Sequence, residues 1–500
     1  MTACITRRIA LLACALVVCA PCLTLGQSGQ PDRVTLTILH TNDLHGRVLP
    51  FPYRERGRDV AEKPSAGGLA RRATLIRRIR ASAHNPVLVV DAGDLVTRGP
   101  LWTTYLGGPE VAALNAMQVD LAAVGNNEFK LKDGIDVADA PGARAALANI
   151  VRRSRFPWLC ANVTTASGAW LPGVRPYVVR TLGGVRVGVL SVTSARSGSY
   201  RQTAGLRFTD PIAAAREWVP KVRAECDVLI ALTHIGVLQD RLLAASVPGI
   251  DVIVGGDSHT FLHEALKVKN PSGVGVPIVQ AGEHGVYVGR LDLELTRDAA
   301  GAWRAGVTAY RLLPVGPDLP EDPAVAAAIA PSVKPFRAVV GRWPAIRGDV
   351  AERARQTRLL FAEAIRRAAG ADLALVTNEG FQDALHRPTV TRYDLHSAWA
   401  YRDHVVTISA TGEELAALRT KYPEAALAGA PAVLGPARRY TVALVDYVAT
   451  ESLRLPATRL TDTGIDVRGA VVAYLRGAAA SRAMKTRKPE HPKTAPTGRP

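Results

Sequence analysis

Cysteine is scarce in this sequence. There are six in 500 residues, and four of them (Cys4, Cys14, Cys19 and Cys22) fall within the first 22 positions. The remaining two, Cys160 and Cys226, allow at most one disulfide, which excludes a cross-linked scaffold. Both lie in strand-like apolar segments and read as small buried residues. Glycine and proline, at 43 and 33 residues, are too few for a collagenous or low-complexity chain. Beyond the N-terminus no apolar stretch approaches the roughly 18–20 residues needed to cross a membrane. Acidic residues are also in deficit, 44 against 62 basic ones, for a formal charge of +18. Of the basic residues 51 are arginine, scattered and not gathered into a run, so the excess implies no dedicated nucleic-acid surface. It suits attraction of anionic small molecules instead. What is abundant is apolar: 48% of the chain, enough for sizeable cores, with 21% charged residues excluding wholesale disorder.

The N-terminus has the form of an export signal. Arg7 and Arg8 precede a short apolar run, Ile9 to Cys19, followed by Pro21 and small residues. Cleavage after Gly26 is expected, placing the mature chain in the periplasm or outside the cell with no membrane-spanning segment. From residue 34 onward, short Val-, Ile- and Leu-rich runs recur: 34–39, 87–90, 121–124, 187–192, 228–232, 252–254 and 277–279. None alternates strictly, as expected of strands covered on both faces. A helix is predicted where Leu69, Ala73, Ile76 and Ile79 share a face, with Arg71, Arg72 and Arg78 pointing elsewhere. Strand–helix alternation predicts an α/β layered domain over 33–300. Prolines accumulate over 301–345, which reads as a connector. A helix is expected over 350–369, stopped by Gly370, within a second α/β domain spanning 346–478. The basic, proline-containing stretch 479–500 reads as a disordered tail.

Polar residues cluster directly after five of the apolar runs. They are His40-Thr41-Asn42-Asp43-Leu44-His45, Asp91-Ala92-Gly93-Asp94, Gly125-Asn126-Asn127-Glu128, Thr233-His234 and Gly255-Gly256-Asp257-Ser258-His259. Strand carboxyl ends form one rim of an α/β sheet, and sites are built there. Carboxylate, imidazole and carboxamide groups together suit divalent Mn, Zn, Fe or Mg. Each segment alone is weak, because an Asp after a strand is commonly a turn residue. The ordered set carries the signal.

That set resembles the calcineurin-like metallophosphatases. Leu36 to His45, Gly67 to Arg71, Ala161-Asn162-Val163 and Gln280-Ala281-Gly282 narrow the resemblance to the 5′-nucleotidase group, which includes UDP-sugar hydrolases and 2′,3′-cyclic phosphodiesterases. The resemblance implies a four-layer α/β/β/α metallophosphatase domain followed by a smaller α/β substrate domain. It implies two divalent ions (Mn, Zn, Fe, Mg or Co), one held by Asp43, His45 and His259, the other by Asn126, His234 and Asp257. Asp94 would bridge them and act in catalysis. The implied partner is a small-molecule phosphoester, possibly a nucleotide.

Departures from the family pattern are concentrated where chemistry would occur. Asn127 stands where the family has the histidine thought to protonate the leaving oxygen, and Lys130 replaces that histidine's aspartate partner. Asn127 can donate a hydrogen bond but cannot be a general acid. Asp257 replaces a family histidine, hardening the site. In the C-terminal half the family's Asn-x-Gly-Gly-x-Arg appears as Asn378-Glu379-Gly380-Phe381-Gln382-Asp383, and its glycine-rich late loop is replaced near 449–453. Asn378, Gly380, Phe381 and Tyr401 remain the expected substrate-binding residues. The expectation is an exported metal-dependent phosphoester hydrolase of 5′-nucleotidase type. Its alternatives are a phosphodiesterase or non-nucleotide phosphoesterase with a good leaving group, and a non-catalytic ligand-binding relative.

Overall fold

The computed structural model describes residues 33–55, 60–130, 140–429 and 433–477. The expected signal segment, 1–26, and the basic tail, 479–500, lie outside them. The chain first lays down β1 (Arg33–Thr41), β2 (Val87–Asp91), β3 (Leu121–Ala123), β4 (Trp158–Leu159) and β5 (Val174–Arg175), side by side and parallel. A second sheet follows, from β6 (Tyr177–Leu182), β7 (Val185–Thr193), β8 (Val228–His234), β9 (Val252–Val254), β10 (Leu266–Lys269) and β11 (Gly275–Val279). Its order is β10-β11-β9-β8-β7-β6, parallel at the centre and antiparallel at both edges. The chain then returns to the first sheet as β12 (Tyr287–Arg297), antiparallel to β1, and β13 (Trp303–Pro314), antiparallel to β12.

The two sheets face each other. Leu36, Ile38, Leu88 and Val90 of the first sheet meet Val228, Ile230 and Leu232 of the second in one core. The alternate residues point outward. Leu39 and Val89 pack under helices α1 (Leu69–Ser82), α2 (Gly108–Met117) and α3 (Ala140–Arg153). Leu229 and Ala231 pack under α4 (Pro211–Arg223) and α5 (Val237–Ser246). The result is the four-layer α/β/β/α sandwich. It explains why the central strands read as continuous apolar runs, since neither of their faces meets water.

Two expectations need correction. The proline-rich stretch 301–345 is not a connector over its length. It supplies β13 and helix α6 (Pro323–Val333), whose Val325, Ile329 and Val333 join the core beneath α1 and α2. Pro314 ends a strand and Pro323 opens a helix capped by the Asp322 side chain, positions where no backbone N–H is needed. Arg72 does not point away. It is buried, with Nη1 4.0 Å from Asp91 Oδ2, because it lies three residues after Leu69 and four before Ile76, on the same helical face. Cys160 and Cys226 are buried and free, as read from their segments.

The C-terminal part opens with α7 (Val350–Ala369), capped by the Asp349 side chain and ended by Gly370 at φ 62°. A mixed five-stranded sheet follows, containing β14 (Leu373–Val376), β15 (His404–Thr411), β16 (Ala426–Ala428), β17 (Arg439–Val445) and β18 (Thr461–Asp466), in the order β16-β14-β17-β15-β18. One core lies under α7, and a second forms where Leu415 packs on the opposite face.

Candidate metal centre

The carboxyl ends of β1, β2 and β3 in one sheet and of β8 and β9 in the other meet at the same end of the sandwich. β1 leads into Asp43 and His45, β2 into Asp94, β3 into Asn126 and Asn127, β8 ends at His234, and β9 leads into Asp257 and His259. Asp43, His45, Asp94, Asp257 and His259 all have left-handed backbone, with φ of 50°, 48°, 56°, 77° and 54°. Non-glycine residues adopt this region rarely, and such strain collects at functional sites. It persists here because the loops are stitched together: Asp43 N donates to Gly93 O at 2.9 Å and His45 N to Asp94 O at 2.9 Å. Gly93 and Gly125 are required by this approach. A Cβ on Gly93 would lie 2.8 Å from Gly125 N, and one on Gly125 would lie 2.3 Å from Asp94 Oδ1.

Two overlapping sets of side chains could each hold a cation: Asp43, His45 and His259, and Asp43, Asp94 and His234. Asp43 Oδ2 is satisfied by Asn42 Nδ2 at 2.7 Å and by Asp257 N at 3.0 Å. Its Oδ1 is buried with no hydrogen-bond partner. That orphan atom is ringed by the Nε2 atoms of His259 at 3.3 Å, His45 at 3.8 Å and His234 at 4.0 Å. The Nε2 atoms of His45 and His259 are 3.0 Å apart. On His234 and His259 the other ring nitrogen is turned outward, to Ala92 O at 2.7 Å and to Glu283 Oε2 at 2.6 Å. An N–H on those atoms directs both Nε2 lone pairs inward. A convergence of acceptors on an unpartnered carboxylate oxygen fits divalent metal.

The field of the site favours positive charge. Against burial, which lowers it, the nearby carboxylates of Asp43 and Glu283 raise the pKa of His259 to about 10. Against burial likewise, Asp94 holds His234 well above the ordinary imidazole range. Asp94 itself is held below the usual carboxylate range, its burial outweighed by His234 and His45. Burial alone is the leading influence at His45, whose pKa falls well below normal.

The remaining expected residues are placed as follows. Asn126 Oδ1 lies 3.1 Å from His234 Nε2, and its Nδ2 donates to Tyr200 Oη at 3.3 Å, which fixes the amide's orientation. Asn127 donates to Asp94 twice, from its backbone N to Oδ1 at 2.7 Å and from its side-chain amide to Oδ2. Asp43 belongs to both sets, and Asp94, the expected bridge, reaches toward both as well, with Oδ1 3.2 Å from His234 Nε2 and Oδ2 3.7 Å from His45 Nε2. Asp257 joins neither: its Oδ2 receives Arg196 Nη2 at 2.6 Å. Lys130 Nζ lies 4.3 Å from the centroid of the Tyr200 ring.

Among the expected substrate residues, Phe381 packs edge-on against Trp399 and Phe361, with ring centroids 4.9 and 5.0 Å away. Gly380 is pressed against the Trp399 ring, which a Cβ would meet at 2.6 Å. Asn378 is exposed. Tyr401 meets Trp102 of the N-terminal part edge-to-face at 6.2 Å. Four supporting residues were not legible as such in the sequence. Glu128 is fully buried and accepts from the backbone N of Asp94, Leu95, Val96 and Gly125. Glu283 orients His259. Arg98 lies close enough for its charge to act on both His45 and Tyr401, between the cluster and the C-terminal part. Arg196 pairs with Asp257. Glu128 ends the Gly125–Glu128 tetrapeptide, and Glu283 follows Gln280-Ala281-Gly282; the two arginines had no local signal at all.

The fold and the candidate centre together define a two-part α/β protein of the metallophosphatase fold class, with a cluster that could hold metal on a four-layer sandwich and a second α/β domain beside it. The calcineurin-like phosphoesterase family matches residues 36–261, and the 5′-nucleotidase C-terminal domain matches residues 339–426. A snake venom 5′-nucleotidase from Naja atra is 33% identical over 59% of this chain and 56% of its own length, and a Homo sapiens 5′-nucleotidase is 33% identical over 59% and 52%. The chain thus spans about half the length of these curated relatives. A solved 5′-nucleotidase precursor from Thermus thermophilus superposes with TM-score 0.69 at 25% identity, over 89% of this chain and 97% of that one. The chain carries a calcineurin-like metallophosphatase domain followed by a 5′-nucleotidase C-terminal domain, and in that pairing it resembles the 5′-nucleotidases.

Proposed function

We propose that this chain is an exported metal-dependent phosphoester hydrolase whose reacting phosphoryl group lies over the Asp43–His45–Asp94–His234–His259 cluster. The observation that carries the reading is the buried, unpartnered Oδ1 of Asp43 inside a ring of three imidazole nitrogens. Export is supported by the Arg7-Arg8 segment and the short apolar run behind it.

Asp43, His45 and His259 would hold one divalent cation, and Asp43, Asp94 and His234, with Asn126, a second. Bound there, such ions supply Lewis acidity that activates water and neutralises phosphoryl charge. The chain's own residues do the rest. Ala92 O and Glu283 fix the two imidazole orientations, and Arg98, whose charge acts on His45, would attract phosphoryl oxygens. Asn127 holds Asp94 and has no proton to give. Departure of the leaving group is therefore not assisted by a proton from position 127.

A phosphodiester or non-nucleotide phosphoester with a good leaving group is favoured over a nucleotide by the C-terminal part. Phe381 is packed on Trp399, Asp383 is turned onto Arg47, and the Ser452 hydroxyl donates to Glu379 across the loops expected to hold a nucleotide. A panel of aryl phosphates, cyclic diesters and nucleoside monophosphates, assayed with Mn, Mg, Zn, Co and Fe, tests the reading. Aryl and cyclic esters should be hydrolysed faster. Asn127→His combined with Lys130→Asp should raise alkyl-ester turnover selectively, by about tenfold or more. Equal rates on a nucleoside monophosphate and an aryl ester would overturn the leaving-group account. Inertness toward every ester with every metal would leave a non-catalytic ligand-binding relative.

A further inference from the structure

Arg196 sits on a short turn, Ala195–Ser199, directly after β7, in the sheet that also delivers His234. Its Nη2 lies 2.6 Å from Asp257 Oδ2, and its Nε donates to Ser194 Oγ at 3.2 Å. The guanidinium is largely exposed, whereas the Asp257 side chain is only 10% exposed. Asp257 is held from its other end as well: its backbone N donates to Asp43 Oδ2 at 3.0 Å. Gly236 makes room for the carboxylate, since a Cβ there would lie 3.2 Å from Asp257 Oδ2. Asp257 is thus tied by its backbone to the carboxylate shared by both ligand sets, while its side chain faces a cation that the chain itself provides.

The charges explain why this matters. The two ligand sets contain two carboxylates, Asp43 and Asp94, and imidazoles that would be neutral when holding a cation. An ionised Asp257 would add a third negative charge at the edge of the His234 set, and Arg196 cancels it. A divalent ion seeking Asp257 as a ligand has to displace a guanidinium that is already seated. Arg remains charged at any working pH and is less strongly hydrated than an ammonium, so it holds such a pairing well.

We propose that Arg196 is an internal competitor for the second cation, so that the two halves of the centre bind metal unequally. The Asp43–His45–His259 half fills first, and the Asp43–Asp94–His234 half fills weakly until Arg196 releases Asp257. The inference rests on the metal-centre reading above and extends it, making residue 196 the one that sets metal stoichiometry.

Metal titration of the metal-free full chain tests it without any substrate. Mn²⁺ alone is added and followed by calorimetry, with electron paramagnetic resonance reporting whether two Mn ions are coupled. The wild type should show one tight equivalent and a second at least about tenfold weaker. Arg196→Gln should tighten the second step by roughly tenfold, leave the first unchanged and strengthen the coupled signal. Arg196→Lys, which retains the charge, should keep the steps apart. Asp257→Asn should abolish the gain from Arg196→Gln in the double variant. Two equally tight equivalents in the wild type would overturn the proposal, as would an unchanged second step in Arg196→Gln or a gain that persists without Asp257. Failure of the wild type to bind any Mn²⁺ or Zn²⁺ would instead sink the metal-centre reading itself.

Discussion

Asp43 is the side chain on which the centre depends most. It belongs to both ligand sets, and its free oxygen has no other partner. Asp43→Asn keeps the shape and the Asn42 and Asp257 contacts within reach but removes the shared charge. It is expected to lower bound metal in both sets and to reduce phosphoester turnover by about 10³-fold or more, an order of magnitude typical of losing a group that organises the transition state. Elemental analysis alongside an aryl phosphate assay checks it, and full metal retention would contradict it. Glu283 acts one step removed. Glu283→Gln weakens the hold on His259 Nδ1, and outer partners of this kind are typically worth about 10–100-fold in metal affinity. The loss should appear in metal titration as weakening of the His259 set alone. At this scale the ligands were legible because each follows an apolar run. Glu283 and Arg98 were not, since their roles depend on neighbours 24 and more residues away in the chain.

At the scale of elements, α2 carries an unusual burden. Glu110 in its first turn is fully buried, and neither of its side-chain oxygens has a hydrogen-bond partner among the described residues. Burial raises its pKa from 4.5 to about 7. Between those values the unfolded chain releases a proton that the folded chain keeps. Stability from this group is therefore complete below about pH 4.5 and falls as pH rises toward 7, by at most about 3 kcal/mol. Glu110→Gln removes the penalty. The variant should melt above the wild type at pH 8 and match it near pH 4.5, and parallel thermal unfolding at the two pH values checks this. The strands and α7 were legible as elements because apolar runs and caps are local. The 301–345 stretch was misread because proline density marks both linkers and element ends, and only packing separates the two.

At the scale of the molecule, charged side chains join the two parts. Arg47 is buried and pairs with Asp383 at 3.0 Å, and Arg353 meets Glu62 at 2.6 Å. Arg402 donates to Thr103 O at 2.8 Å, and Leu49 N donates to Tyr393 Oη at 3.3 Å. Removing one partner of a buried pair leaves a charge uncompensated, at a cost of about 3–5 kcal/mol. Asp383→Ala should therefore lower the melting temperature and resolve unfolding into two transitions as the parts uncouple. A single unchanged transition in calorimetry would contradict it. The departure of Asp383 from the family pattern gains a physical role here, as the acid that receives Arg47.

What the sequence determined alone is what local rules control. Apolar periodicity defined the strands and α7, and the residues that follow the strands named the ligand types. Tertiary structure alone decided that Asp43 and Asp94 both lie within reach of histidines from the two sheets, that Arg72 and Glu110 are buried, and that Asp257 faces Arg196. Each of those depends on which side chain comes within hydrogen-bonding or ion-pairing reach of another from a distant segment. Two sheets packed face to face bring their strand ends together at distances that no spacing along the chain records.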